Sequence, residues 1–295
     1  MKRTFSRLAG LLLLGSLAVS CSKDSVAPAA GPSAAVQTAD ATATRDNNLA
    51  LGNPSGAVAD PSYYWNYLVT KSQYTMSYHR DRGTPNWVSW HLSSAWLGST
   101  PRQDNFAPDN SLPAGWYRVT STSYTGSGFD RGHNCPSADR TGSVADNSAT
   151  FLMSNMIPQA PQNNQRTWAG LENYCRTLVN AGNELYIICG SYGKGGTGSN
   201  GYATTLDAGR VTVPTRVWKV VVVMPNGTGD ATRVTTGTRV IAINTPNDNS
   251  LDTNWGVYRT TVDAIEQATG YDLLSAVSAS VQSVVEARVD NGPTS

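Results

Sequence analysis

Two stretches, ELYIICG (184–190) and RVWKVVVVMP (216–225), are near-continuous apolar runs of strand length. A strand with one face in water alternates apolar and polar residues, whereas an unbroken apolar run fits a strand covered on both faces. Such strands belong in the middle of a sheet with a layer on each side, and a hydrophobic content of 39% over 295 residues is enough to build one. NWVSWHL (86–92) and TRVIAIN (238–244) read as further strands, and ATFLMSNMIPQ (149–159) as a strand running into a loop. Trp168, Leu171, Cys175 and Leu178 recur at helical spacing, which predicts an amphipathic helix from Gln165 to Ala181 closed by Gly182. Val262, Ile265 and Ala268 predict another ending at Gly270, and residues Val277 to Val289 a last one. Strands and helices do not alternate regularly, so the expected class is α+β, with a mixed, largely antiparallel central sheet and flanking helices.

The N-terminus reads as a processing signal. Lys2, Arg3 and Arg7 precede a short apolar stretch from Leu8 to Val19, too short for a spanning helix of roughly 20 residues. It ends in LAVSC, which resembles a bacterial lipobox whose cysteine, Cys21, becomes the lipidated first residue; the alternative is an ordinary secretory signal in which Cys21 has no role. Residues 21–58 are rich in Ala, Pro, Ser, Thr and Asp and read as a disordered tether. The expected organisation is a lipoprotein signal peptide (1–20), the tether (21–58) and one folded domain (59–290). The expected location is extracytoplasmic, on a bacterial membrane. There, Cys135, Cys175 and Cys189 form an odd set, and Cys175 and Cys189 either bridge or fill the core as buried thiols. Without Lys2, Arg3 and Arg7, the balance of 22 basic against 21 acidic residues turns slightly negative. Binding of a polyanion through bulk charge is therefore excluded, and any such ligand needs a local cluster.

One local cluster stands out in FDRGHNCPSADRTGS (129–143). His133 is the side-chain type best suited to accept a proton near neutral pH. Arg131 can grip a phosphate by two donors, and Gly132 leaves room for close approach. Alone, these residues equally describe a local Asp130–Arg131 ion pair with His133 capping a turn. The second stretch, SNMIPQAPQNNQRTWAGLENY (154–174), shifts the balance. Asn164, Trp168 and Glu172 fall on one helical stripe about 80° wide, so an amide oxygen and a carboxylate can face one small site. That donor set suits magnesium, a hard cation content with one or two protein oxygens. Other motifs fail: GSYGKGGTGSNG (190–201) lacks Walker spacing and reads as a surface loop, DNSLDTNWG (248–256) lacks the EF-hand glutamate, and no C-x-x-C supports structural zinc.

DRGH followed by SNMIPQ and then N-N-Q-x-x-W-x-x-L-E resembles the DNA/RNA non-specific endonucleases, which have a ββα-metal (His-Me finger) core. NWVSWHL, RQDNF (102–106), NELYIICG and YRTTVDAIEQATGYDLL (258–274) look like family segments in family order. The resemblance implies hydrolysis of DNA and RNA phosphodiesters with little sequence preference, leaving 5′-phosphate ends, with Mg²⁺ as cofactor and Mn²⁺ able to substitute. It implies His133 as general base, Asn164 as direct metal ligand and Glu172 as orienter of the metal's waters. Arg131, and by a looser match Arg102, would contact phosphate, Asn155 would support the site and Asp130 would fix its local geometry. Asn134 and Cys135 depart from the family pattern beside the base. Rival readings are a phosphodiesterase for small or lipid-linked substrates and a catalytically silent surface lipoprotein. For the anchor, the native protein is expected to partition into detergent and Cys21→Ala to leave it, since dual acylation gives stable attachment; a freely soluble wild type would refute the anchor.

Overall fold

The computed structural model describes residues 43–295, so the signal, Cys21 and most of the expected tether lie outside the described residues. The strands of the first half are β1 (Tyr67–Thr70), β2 (Thr75–His79), β3 (Thr84–Leu92), β4 (Asp130–His133) and β5 (Met156–Gln159). Those of the second half are β6 (Asn183–Tyr192), two short hairpins β7–β8 (Gly196–Gly198, Gly201–Ala203) and β9–β10 (Thr205–Leu206, Val211–Thr212), then β11 (Arg216–Pro225) and β12 (Arg239–Pro246). Helices are α1 (Val144–Ala149), α2 (Ala169–Asn180), α3 (Asp230–Arg233), α4 (Val262–Thr269) and α5 (Ala279–Val285). Six strands make one antiparallel sheet in the order β1-β2-β3-β6-β11-β12. The separate β4–β5 ribbon and α2 form a ββα unit on one face.

The two apolar runs are β6 and β11, the inner strands of that sheet. Their period of two serves both faces. Leu185, Ile187, Cys189, Val217 and Val221 point into a core shared with Trp168, Leu171 and Cys175 of the helix. Tyr186, Ile188, Trp218, Val220 and Val222 point the other way, into a core closed by Val262 and Ile265 of α4 and Val285 of α5. The α+β class is therefore as expected.

Boundaries differ in four places. The helix begins earlier, with a wide turn over Asn163–Trp168 that runs into α2. α4 ends as expected at Gly270, whose φ of 75° is the left-handed cap, but α5 covers only Ala279–Val285 of the expected 277–289. At 149–159, expected as a strand running into a loop, the order is reversed: the strand is Met156–Gln159, at the end. The preceding residues end α1 and make a 3-10 turn, because Phe151 and Met153 bury as tertiary inserts rather than as ladder positions. Residues 190–201 include the β7–β8 hairpin instead of a plain loop.

The largest difference is at the N-terminal side. Residues 43–58, expected as tether, pack on the sheet. Leu51 and Ala57 enter the second core. The side-chain oxygen of buried Asn48 accepts the His91 N–H at 3.1 Å and its carbonyl accepts the Ser89 hydroxyl at 2.6 Å. Ser55 Oγ accepts from Trp87 Nε1 at 2.8 Å. This segment satisfies β3 where β2 has ended. Leu51, at 2% exposure, gives the test: Leu51→Ala is expected to cost about 2–5 kcal/mol in urea unfolding with an unchanged m-value, where a tether residue would cost nothing.

Candidate functional site

The DRGH segment is the strand β4, paired antiparallel with β5 so that Asp130 faces Gln159 and His133 faces Met156. A side chain at position 132 would collide with Gln159, so this pairing requires glycine. Beyond His133 the chain is held by Asn155, which is fully buried. Its Oδ1 accepts the Cys135 N–H at 3.1 Å, and its Nδ2 donates to the carbonyls of Cys135 and Thr150 at 2.9 Å each. Asn134, a departure from the family pattern, donates to the Asn155 carbonyl and accepts from Cys189 Sγ, and so serves the same turn.

His133 sits between two aromatic rings, Phe106 at 5.6 Å and Phe151 at 5.0 Å between centroids. The outer arginines stack on those rings: Arg131 lies 3.9 Å over Phe106 and Arg102 lies 4.7 Å over Phe151. Nε2 of His133 is enclosed and has no hydrogen-bond partner among the described residues. Burial, then the charges of Arg102 and Arg131, push the imidazole down to about 3, so the ring is neutral at pH 7. A neutral imidazole with a free ring nitrogen is the form that accepts a proton.

The other half of the site is the helix start. Its first turns are anchored by the segment after β12: Asn249 Oδ1 accepts the Gln162 N–H at 2.9 Å, and Asp252 O accepts the Thr167 hydroxyl at 2.7 Å. The 248–256 stretch is thus a brace for this helix. Asp130 Oδ2 accepts from Asn164 Nδ2 and Gln165 Nε2, both at 2.8 Å, and so ties β4 to the helix. With Nδ2 engaged, Oδ1 of Asn164 accepts no hydrogen bond among the described residues and is available as a hard oxygen donor. Arg102, Asp130, Arg131 and Asn164 line one cleft of about 340 Å³ with Phe106 and Asp104. Arg102 is also paired with Asp104 at 2.6 Å. His133, Asn155 and Glu172 do not line that cleft.

Glu172 is engaged at the sheet rather than free. Its carboxylate lies 3.2 Å from Lys219 Nζ, and Lys219 is fully buried, 4.2 Å from the ring of Trp168 and 5.6 Å from that of Trp90. Burial raises the Glu172 carboxyl above its usual 4.5, and Lys219 opposes that shift. One turn on, Arg176 pairs with Asp139 at 2.7 Å, and Trp90 donates to the same carboxylate at 3.0 Å. Sequence reasoning missed Lys219, Arg176 and Asp139. The available signal was a lysine inside the otherwise apolar VWKVVVV run.

A second group, Asp46, His91 and Glu184, brings three ligand-type atoms within 4.8 Å on the opposite face of the sheet. The Asp46 N–H donates to His91 Nδ1 at 3.3 Å, so the ring proton sits on Nε2 and faces Glu184 at 3.3 Å. Glu184 also pairs with Arg233. That group is a closed ion-pair network, not a cation site. Cys135, Cys175 and Cys189 are free buried thiols, so Cys175 and Cys189 fill core space and do not bridge.

The Glu172–Lys219 pair yields a test. Lys219→Met leaves the mostly buried Glu172 carboxylate without its partner, which costs up to about 3–5 kcal/mol, the range for breaking a buried pair. Glu172 then titrates higher in the folded than in the unfolded chain, so the penalty grows as pH rises above 4.5 and shrinks as pH falls toward it. Urea unfolding at two pH values reads this, and adding Glu172→Gln should restore most of the loss; a single variant as stable as wild type at neutral pH would refute the pairing.

Comparison with known proteins gives the family. The family model for DNA/RNA non-specific endonucleases matches residues 51–280. A nuclease from Nostoc sp. is 52% identical over 244 residues, covering 83% of this chain and 86% of its own. Human mitochondrial endonuclease G is 33% identical over 167 residues, covering 54% of this chain and 56% of its own. The solved EndoG/EndoGI complex has the same fold, with a TM-score of 0.63 at 23% identity over 78% of this chain and 91% of that one. The chain belongs to the DNA/RNA non-specific endonuclease family and is a hydrolase of the ββα-metal nuclease fold.

Proposed function

We propose that the cleft beside the β4–β5 ribbon hydrolyses DNA and RNA phosphodiesters by a one-metal route, leaving 5′-phosphate ends, in an enzyme carried on the membrane by Cys21. The observation that carries the catalytic reading is a neutral His133, with an unpartnered Nε2, enclosed between two arginine-capped aromatic rings. Arg131 and Arg102 hold the phosphate, Arg131 with two donors to its oxygens. His133 Nε2 takes a proton from the attacking water as the water oxygen bonds to phosphorus, and the bond from phosphorus to the 3′-oxygen breaks, that oxygen taking a proton from solvent. Both arginines lower the basicity of His133 in the free enzyme. A bound phosphate offsets their charge, so His133 becomes a better base only when substrate is in place.

The donor set fits a magnesium ion. Asn164 Oδ1 is unengaged at the cleft wall, and a neutral ligand leaves the cation's charge for the substrate. Asn164 would hold the ion directly, and Glu172, positioned by its pairing with Lys219, would orient its waters. When bound, the ion supplies positive charge to the phosphate oxygens as negative charge builds on them. Asp130 fixes the Asn164 amide, and Asn155 fixes the turn after His133.

The two principal roles separate in one comparison. His133→Ala is expected to lose about 10²- to 10⁴-fold in rate at every magnesium concentration while still binding DNA. Asn164→Ala should regain activity as magnesium is raised. A magnesium titration of DNA cleavage, with circular dichroism to confirm folding, checks both. Near-normal activity of His133→Ala removes the base assignment, and a histidine variant rescued by magnesium reverses the two roles.

A further inference from the structure

On the far face of the sheet, Asp263 and Glu266 lie one turn apart on α4, and Glu286 caps the end of α5. One carboxylate oxygen from each lies within 4.8 Å of the others. The helices are joined there by a backbone hydrogen bond from the Asp263 N–H to the Glu286 carbonyl at 3.2 Å. Glu286 is only 6% exposed, yet its Oε1 has no hydrogen-bond partner among the described residues. Asp272 adds a fourth negative charge nearby, and among the described residues no basic side chain pairs with Glu286.

A buried carboxylate is normally paired, hydrogen-bonded or bound to a metal, because transfer of the bare anion from water is very unfavourable. Glu286 has neither of the first two. Glu266 and Asp263 bring further negative charge to within 4.8 Å of it. The cluster is graded from buried Glu286 through half-buried Glu266 to exposed Asp263, so a cation can enter from solvent and keep waters on one side. Glu266 already accepts the Leu273 N–H at 2.7 Å, which fixes one carboxylate in place.

The geometry points to a structural calcium site formed by Asp263, Glu266 and Glu286, separate from the catalytic cleft and clamping α5 to α4. Three carboxylates with space for water match calcium, which takes six to eight oxygens, better than magnesium, which keeps most of its waters and binds through one or two carboxylates. A surface site of this kind binds at roughly 10⁻⁴ to 10⁻³ M.

Thermal unfolding of the chelator-treated full-length protein, titrated with calcium chloride, tests the assignment. A ligand bound only by the folded state raises Tm with concentration. The rise is expected in wild type and in Asn164→Ala, whose cleft ligand is gone, and should vanish in Glu286→Gln. Asp263→Asn, at an exposed position, gives the same reading if the buried variant fails to fold. Isothermal calorimetry should show the matching loss of calcium binding. No calcium-dependent rise in wild type overturns the site, as does a rise that persists in Asp263→Asn or disappears in Asn164→Ala. Magnesium giving the same rise as calcium overturns the choice of ion.

Discussion

A single positive charge sits in the middle of the central sheet. Lys219, on the inner strand β11, is fully buried between Trp90 and Trp168 and has Glu172 as its carboxylate partner. An unpaired ammonium there would be very unfavourable, so the strand can be central only if a carboxylate arrives from the covering layer. That requirement sets where α2 docks. Once Glu172 lies over Lys219, the helix start lies two turns back, and the bond from Asn164 to Asp130 joins it to the strand that carries Arg131 and His133. Sheet, helix and ribbon are thereby brought to one place by one ion pair and the two side-chain hydrogen bonds that Asp130 accepts.

The electrostatics of the site follow from enclosure. Arginine guanidinium groups stack on the two phenylalanines that flank His133, which keeps cations near the imidazole without direct contact to its free nitrogen. In water such an arrangement would be weak, but in a partly enclosed cleft each charge acts strongly on its neighbour. In the proposed mechanism the same arginines that suppress protonation of the ring would attract the polyanion, which would couple affinity for substrate to the basicity of His133. The near-neutral net charge of the whole chain is no obstacle, because the attraction is local.

Much of this was legible because the chemistry rests on residue types that are rare in this chain. Three histidines and few charges make DRGH conspicuous, and the spacing of Asn164 and Glu172 is a helical period. The inner strands were legible because burial on both faces removes polar alternation. Lys219 was not, since one lysine in an apolar run reads as noise until its partner is known. Residues 43–58 look like a tether by composition, yet Leu51, Asn48 and Ser55 each meet a specific partner on β3 or in the second core. Residues 149–155 mimic a strand because Phe151 and Met153 are apolar, although they pack singly from a turn. In these cases tertiary contacts between distant segments decided the outcome, and local pattern does not record them.

The central claim is that His133 is held neutral by its surroundings and gains basicity when phosphate binds. Nitrogen-15 NMR of the imidazoles reads this directly, since the chain has only three histidines and His133→Ala assigns the signal. His133 in the free protein is expected to stay unprotonated down to pH 5, in line with a value pushed to about 3, and to titrate measurably higher with a non-hydrolysable phosphodiester bound. An ordinary titration near 6.5 in the free protein, unmoved by the phosphodiester, would contradict it.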